Sequence, residues 1–207
     1  MSSIYLIRHT APSISKGVCY GQSDIDVMDS FYDEAEVIRR NLPHRFGQIH
    51  SSPLSRCKKL ASFLFPEQEI IMEKDLMEIH CGYWELRDWD QIPRHEIDPW
   101  MADFVQISIP GGESYLNLYR RVVPCFLRIA SSGQDAAVVT HGGVIRSILS
   151  HITQTSLVDS FSRFPLHYGC IIHISKKDEE FRYEIVSNIR PSESEKHKPS
   201  YFRSKSQ

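Results

Sequence analysis

The chain has 207 residues, 41% of them hydrophobic and 24% charged, and its formal net charge at pH 7 is −2. This composition is typical of a soluble globular protein, and the charge balance argues against the basic face of a nucleic-acid-binding protein. The five cysteines are odd in number and lack C-x-x-C spacing, which argues against a disulfide framework or a zinc site. No stretch is long and apolar enough to span a membrane, and no signal peptide precedes the first strand, so a cytoplasmic protein is predicted.

Apolar strands and helical segments alternate along the chain. Strands are predicted at 4–7, 48–50, 70–73 and 136–140, followed by a closing antiparallel hairpin at 170–174 and 181–186. Helices are predicted at 29–42, 54–65 and 114–130 and again from Gly142, whereas 86–109 shows no regular pattern. Such alternation is typical of an α/β fold with a mostly parallel, doubly wound sheet between two helical layers, a three-layer α/β/α sandwich. We predict one domain over residues 1–190 and a disordered, Ser/Lys/Glu-rich tail over 191–207.

Residues suited to binding phosphate follow four of the predicted strands. Arg8 and His9 end the first strand, and Arg56 lies one turn into the helix after the second. Glu78 follows the third strand, and His141 follows the fourth, directly before two glycines that let a ligand approach the backbone. The carboxyl ends of the strands in a doubly wound sheet meet at one edge, where such folds bind ligands. The sequence therefore predicts a phosphoryl-transfer site that needs no metal.

Five segments of the chain carry a resemblance to a known family. They are LIRHT (6–10), SSPLSRCKKLA (51–61), MEIHCGYWE (77–85), PGGES (110–114) and VVTHGGVIR (138–146). In this order they resemble the histidine phosphatase superfamily, which includes the cofactor-dependent phosphoglycerate mutases, and the resemblance extends from Ile4 to about Ile189. It implies a phosphoglycerate mutase-like fold. Within that superfamily the loop GVCYGQSD (17–24) is most similar to the α-ribazole phosphatases of cobalamin biosynthesis.

Chemistry and resemblance together imply a role for each residue at the strand ends. His9 is the expected nucleophile, whose neutral ring attacks phosphorus to form a phosphohistidine. Arg8 and Arg56 are expected to bind the phosphoryl oxygens, and His141 to donate a further hydrogen bond to them. Glu78 is expected to protonate the leaving oxygen and then to activate the water that hydrolyses the intermediate. No metal and no cofactor are expected, because these groups already neutralise the phosphate.

Seven further residues are predicted to contact the substrate. They are Thr10, Ser15, Tyr20, Gly21, Gln22, Glu113 and Gly142. The aromatic, amide and carboxylate groups of Tyr20, Gln22 and Asp24 suit a ribose-linked base as the leaving group. Ser15 stands where the family has an asparagine that helps to hold the phosphoryl group. Either Ser15 or Lys16 substitutes for that asparagine, or the contact is lost.

Structural explanations compete with several of these roles. Glu78 also fits a solvated loop, Arg56 a solvated helix face, and Glu113 a favourable charge at the start of a helix. Thr10 replaces the glycine of the usual RHG motif, which argues against close identity with the glycolytic mutases.

The predicted function is that of a metal-independent phosphomonoesterase that forms a phosphohistidine and acts on α-ribazole 5′-phosphate or the corresponding cobalamin phosphate. The alternative enzymes are a phosphoglycerate mutase and a broad-specificity sugar or nucleotide phosphatase. A non-catalytic phosphate-binding regulatory protein is the alternative of another class. The expected partner is a small phosphomonoester, bound by a monomer or a homodimer, with neither nucleic acid nor membrane.

Overall fold

A six-stranded sheet forms the centre of the molecule in a computed structural model that describes residues 2–177, 180–189 and 199–200. In chain order the strands are β1 (Ser2–Arg8), β2 (Gln48–Ser51), β3 (Ile70–Met72), β4 (Ala136–Thr140), β5 (Ile171–Lys177) and β6 (Glu180–Ser187). The helices are α1 (Phe31–Arg40), α2 (Ser55–Leu64), α3 (Arg94–Ala102), α4 (Tyr115–Ser131), α5 (Gly142–Thr153) and α6 (Ser160–Arg163). Short 3-10 turns cover Lys74–Leu76, Gly82–Trp84 and Trp89–Gln91.

The strands follow the order β3-β2-β4-β1-β5-β6 across the sheet. The four strands β3, β2, β4 and β1 are parallel to one another. Beyond β1, strands β5 and β6 extend the sheet with antiparallel pairing. The predicted mostly parallel, doubly wound sheet with a closing hairpin is thereby confirmed, although both hairpin strands are longer than the sequence pattern suggests.

Alternation of side chains along the central strands explains the helical layers. In β1, Leu6 joins a hydrophobic core with α4 and α5, whereas the next residue, Ile7, joins a second core with α1 and α2. Val138 and Val139 of β4 divide between the two cores in the same way. Helices therefore cover both faces of the sheet, and the predicted three-layer α/β/α sandwich is confirmed.

One helix lies where the sequence shows no regular pattern. Helix α3 falls within the segment 86–109, which was predicted to be irregular, and it contains Pro99. Ile97 of this helix is fully buried in a cluster with Trp84, whose Nε1 donates a hydrogen bond of 2.9 Å to Glu96. The prediction was wrong here because the proline interrupts the sequence pattern of a helix. Packing against the tryptophans nevertheless stabilises it.

The predicted disordered tail, 191–207, lies outside the described residues except for Pro199 and Ser200. Ser200 donates hydrogen bonds of 2.5 Å from its backbone N–H and 2.8 Å from its hydroxyl to the Asp90 carboxylate. Across the part of the chain that the structure describes, no helix combines the length and the apolar character needed to cross a membrane.

Candidate active site

Four of the five predicted catalytic side chains are buried together at the carboxyl ends of the parallel strands. Arg8 ends β1, His9 follows it, His141 follows β4, and Arg56 is the second residue of α2; none of them is more than 4% exposed. Parallel register brings β1 and β4 into line here, because the His9 backbone N–H donates to the Thr140 carbonyl at 3.0 Å. As a result the ring centroids of His9 and His141 are 5.1 Å apart.

A backbone carbonyl selects the tautomer of His9. Its Nδ1 lies 2.7 Å from the carbonyl oxygen of Thr10. A carbonyl oxygen only accepts hydrogen bonds, so in the neutral ring Nδ1 carries the proton and Nε2 is the unprotonated nitrogen. A neutral imidazole held in this way presents the Nε2 lone pair that attack on phosphorus requires.

His141 is suited to remain neutral. Complete burial lowers the pKa of its imidazole well below the usual range, and the positive charges of Arg56 and Arg8 lower this pKa further. The ring is anchored by a 2.8 Å hydrogen bond between its Nε2 and the Ser52 hydroxyl. A neutral imidazole keeps one N–H, which is the donor that a hydrogen bond to a phosphoryl oxygen needs.

Backbone carbonyls orient the guanidinium groups of both predicted arginines. Arg56 donates from Nη1 to the Ser23 carbonyl at 3.0 Å and from Nη2 to the Gly21 carbonyl at 2.7 Å. Its Nε is buried and has no hydrogen-bond partner among the residues that the structure describes, so a bound oxyanion would satisfy this donor. Arg8 donates from Nη1 to the Leu166 carbonyl at 2.8 Å and stacks over the Tyr168 ring, with its Cζ 4.1 Å from the centroid.

Glu78 reaches the amino-terminal end of α5. Its Oε2 accepts a 3.0 Å hydrogen bond from the backbone N–H of Gly143, and its Oε1 accepts one of 2.9 Å from that of Ile79. A side chain at Gly143 would overlap the Glu78 carboxylate, so the glycine permits this close approach. The carboxyl group therefore lies at the helix end that directly follows His141.

The loop over residues 20–24, which the sequence predicts to contact the leaving group, forms hydrogen bonds with other parts of the protein. The Gln22 side-chain amide donates a 3.0 Å hydrogen bond to the Glu78 carbonyl, and the Tyr20 hydroxyl lies 2.6 Å from that of Tyr168. The Asp24 carboxylate accepts hydrogen bonds from the first residue of α2, at 2.7 Å from the backbone N–H and 2.8 Å from the side-chain hydroxyl. Contact between this loop and a substrate stays a prediction.

Glu85 organises the same loop, and sequence reasoning assigned it no role. Its carboxylate accepts hydrogen bonds from the backbone N–H groups of Gly21, Gln22, Ser23 and Cys81 at 2.8–3.1 Å and from the Ser23 hydroxyl at 2.5 Å. Burial by itself would raise the pKa of this carboxyl, but the hydrogen bonds outweigh it and lower the pKa. The final glutamate of MEIHCGYWE was the available signal, yet spacing alone does not show which backbone it binds.

Glu113 has a structural partner for each carboxylate oxygen. Arg121 binds it through Nε at 2.8 Å and Nη2 at 2.9 Å, and His80 donates its backbone N–H at 2.9 Å. Although burial raises the pKa of Glu113, the hydrogen bonds and charge of Arg121 lower it overall. Arg121 also donates to the Glu78 carbonyl at 2.9 Å, so this ion pair positions the backbone of the predicted acid.

The other predicted contact residues differ in their exposure. Thr10 is fully buried, and its hydroxyl has no hydrogen-bond partner within the described ranges. Ser15 and Lys16 are exposed on the loop after the nucleophile. Gly142 is buried at the start of α5, where Arg8 and Arg146 lie next to the space that a β-carbon would fill. The structure thus brings Thr10 and Gly142 to the phosphate end of the site and leaves Ser15 in contact with solvent.

Comparisons with known proteins match this chain to one family. The family model described as the histidine phosphatase superfamily (branch 1) matches residues 4–189. The chain is 32% identical over 168 residues to a metal-independent phosphoserine phosphatase of Arabidopsis thaliana, a match that covers 75% of this chain and 71% of that protein. It is 27% identical over 159 residues to phosphoglycerate mutase-like protein 4 of the same plant, covering 71% of this chain and 69% of that protein.

A solved structure, the α-ribazole phosphatase of Shigella flexneri, has a similar fold. The two structures superpose with a TM-score of 0.80 at 18% sequence identity. The match covers 88% of this chain and 95% of the Shigella flexneri chain. At this identity the likeness shows the fold alone, which agrees with the phosphoglycerate mutase-like fold expected from the five segments. With nearly the whole chain matched by the family model and the expected residues gathered at one sheet edge, the protein belongs to the histidine phosphatase superfamily and is a phosphatase of that family.

Proposed function

We propose that this protein hydrolyses a small phosphomonoester through a phosphohistidine on Nε2 of His9. The observation that carries the proposal is the hydrogen bond from the ring's Nδ1 to the Thr10 carbonyl, which leaves Nε2 unprotonated at the strand ends where Arg8 and Arg56 are also buried. In the first step Nε2 attacks phosphorus, the bond from phosphorus to the ester oxygen breaks, and Glu78 protonates the departing oxygen. Arg8 and Arg56 stabilise the charge on the phosphoryl oxygens.

The second step returns the enzyme to its starting state. Water attacks phosphorus, Glu78 takes a proton from that water, and the phosphorus–nitrogen bond breaks with its electron pair returning to Nε2 of His9. Inorganic phosphate is then released. Glu78 must alternate between acid and base; its carboxylate, held by the Gly143 N–H at the start of α5, supports this assignment.

The first substrate that we propose is α-ribazole 5′-phosphate or the corresponding cobalamin phosphate, used by a monomer or homodimer in the cytoplasm. Support comes from the YGQSD segment and from the fold likeness to the Shigella flexneri α-ribazole phosphatase. The contacts of Gln22 and Asp24 with the protein weaken the argument from this loop, because their polar groups already have partners.

A second substrate, O-phosphoserine, is favoured by a separate observation. The Arabidopsis thaliana relative that is 32% identical to this chain is a metal-independent phosphoserine phosphatase. Phosphoserine is smaller than α-ribazole phosphate and carries a carboxylate, so the two substrates require different surroundings for the leaving group.

A hydrolysis panel in the presence of EDTA tests these proposals. It compares α-ribazole 5′-phosphate, O-phosphoserine, 3-phosphoglycerate and a nucleoside monophosphate, with released phosphate as the readout and His9→Ala as the matched control. The first proposal requires kcat/KM for α-ribazole phosphate to exceed that for 3-phosphoglycerate by at least about tenfold, equivalent to roughly 1.4 kcal/mol. Phosphate binding without hydrolysis of any ester would instead support a regulatory protein, and transfer to an acceptor alcohol would support a mutase.

A further inference from the structure

Arg146 is a buried cation for which the mechanism above has no use. It lies on α5, is 9% exposed, and donates from Nε to the Phe164 carbonyl at 3.1 Å. Its guanidinium stacks over the Phe161 ring, with Cζ 4.6 Å from the centroid. Within the described residues no carboxylate forms an ion pair with it, and Nη1 and Nη2 have no hydrogen-bond partner. A charge buried without a counter-ion is costly, so a purely structural role would be an expensive one.

Arg146 lies close to Arg8 and Gly142, at the end of the site where the phosphate is expected to bind. A methyl group added to Gly142 would lie 3.1 Å from Nη1 of Arg146 and 3.2 Å from Nε of Arg8. Both guanidinium groups therefore lie against Gly142, at the amino terminus of α5, where backbone N–H groups also favour an anion. The next residue, Gly143, holds the carboxylate of Glu78.

These neighbours define where the leaving group must pass. Arg8 marks the side of the phosphoryl oxygens, and Glu78 must reach the ester oxygen in order to protonate it. An ester oxygen close enough for Glu78 to protonate would have its carbon near the first turn of α5, where the Arg146 guanidinium also lies. A cation there can bind an anionic group that lies a few bonds from the ester oxygen.

We propose that Arg146 binds a carboxylate on the leaving group, so that the substrates are phosphate esters of small hydroxy acids. The inference rests on the proposed phosphohistidine hydrolysis and selects phosphoserine over α-ribazole phosphate, which has no carboxylate. A planar guanidinium matches a carboxylate with two parallel hydrogen bonds, and the exposed Phe161 ring covers its other face. Burial lowers the pKa of Arg146 and so does the charge of Arg8, and these effects outweigh the opposing influence of Tyr115 and Glu78. A bound anion would stabilise both cations.

The test compares two esters that differ only in the carboxylate. O-phosphoserine and O-phosphoethanolamine are assayed with the parent, Arg146→Gln, Arg146→Lys and the control Arg128→Gln, which removes an exposed arginine paired with Glu73. We expect Arg146→Gln to lower kcat/KM for phosphoserine by about 10- to 100-fold, mainly through KM. The value for phosphoethanolamine should change by less than about threefold. Arg146→Lys should lose an intermediate amount, again for phosphoserine alone.

Binding measurements separate this inference from the proposed reaction. Calorimetry with His9→Ala and with His9→Ala combined with Arg146→Gln gives the Kd of each ester without turnover. A loss of affinity confined to phosphoserine supports the carboxylate contact even if the parent hydrolyses neither ester, a result that would overturn only the proposed reaction. Equal losses for both esters, or a parent that binds both equally, would overturn the role of Arg146. The inference also fails if α-ribazole 5′-phosphate is the best substrate.

Discussion

The two halves of the candidate site are built by different means. At the strand ends, Arg8, His9 and His141 are placed by the register of β1 and β4, and their side chains are buried close together. At the loop end, residues 20–24 and 78–85 have no sheet or long helix to hold them. Their polar groups bind one another, with the carboxylate of Glu85 at the centre.

The contrast shows how position determines the use of a polar side chain. At the strand ends the backbone is already satisfied by the sheet, so the side chains remain available for chemistry. In the loops the backbone needs partners, and side chains such as Glu85 and Gln22 supply them. Substitutions at the strand ends should therefore remove activity and spare stability, whereas substitutions in the loops should lower stability, and activity only where they displace a catalytic side chain.

The largest effect is expected for His9→Ala at the strand ends. With no other residue placed to accept the phosphoryl group, kcat should fall by roughly 10⁴-fold or more while the protein stays folded. The parent, quenched without acid after brief reaction with labelled substrate, should contain an acid-labile, base-stable phosphoprotein that the variant lacks. A near-normal kcat in His9→Ala would show that the nucleophile lies elsewhere.

Glu78→Gln tests the residue that links the two halves. The amide keeps the size of the side chain but has no transferable proton, so hydrolysis of an alkyl ester should slow by roughly 10²- to 10⁴-fold. p-Nitrophenolate leaves without protonation, so phosphorylation by that ester should slow far less. The pre-steady-state burst of nitrophenol measures this step, since overall turnover also includes activation of water.

Equal losses for both esters in the burst would mean that Glu78 only positions the loop. Glu113 is the one acidic residue among the seven predicted substrate contacts. Its bidentate pairing with Arg121, which keeps its pKa low, now makes it a poor proton donor at neutral pH.

Glu85→Gln should produce a smaller loss of activity together with a loss of stability. An amide has one acceptor oxygen and turns its NH₂ toward backbone donors, so the loops should separate and Arg56 should shift with the carbonyls that hold it. We expect kcat/KM to fall by up to about 10²-fold and the free energy of unfolding by about 2–4 kcal/mol. Glu96→Gln is the matched control, since Glu96 accepts one hydrogen bond from Trp84 and should leave kcat/KM near the parent value.

The contribution of Glu85 to the free energy of unfolding should decrease in acid. The folded pKa of Glu85 is depressed, so its contribution is fully present above the unfolded pKa of about 4.3 and is lost as the pH falls through the lower folded pKa. Urea unfolding should therefore show the parent and Glu85→Gln converging in acid. A constant difference across that range would mean that the carboxylate charge contributes nothing to holding the loops.

Asp24→Ala is expected to have the smallest effect. The variant removes the partner of the first N–H group of α2 and should cost about 1 kcal/mol of stability. If the loop serves only the protein, kcat/KM for α-ribazole 5′-phosphate should stay within about threefold of the parent. A tenfold loss of kcat/KM for this substrate, without one for phosphoserine, would show that Asp24 contacts the leaving group. It would contradict a purely structural role for the loop.

The amino-acid sequence by itself determined the order of strands and helices, the layered α/β architecture and the gathering of Arg8, His9, Arg56, Glu78 and His141 at one edge. These features follow from local patterns: apolar runs form buried strands, and the carboxyl ends of parallel strands meet at a single edge. The family resemblance rests on the same segments, because the motifs lie where those strands end.

Only the tertiary structure decided the partners of the loop residues, the helix over 94–102 and the proximity of Arg146 to Arg8. Glu85 and Gly21 are 64 positions apart in the chain, and the segments between them have no period that predicts their contact. Likewise, Pro99 interrupts the sequence pattern of the helix over 94–102. The packing of buried Ile97 against the tryptophans nevertheless stabilises this helix. Contacts of this kind depend on how irregular backbones satisfy their hydrogen-bonding groups once the sheet has brought them together, and no local pattern encodes that outcome.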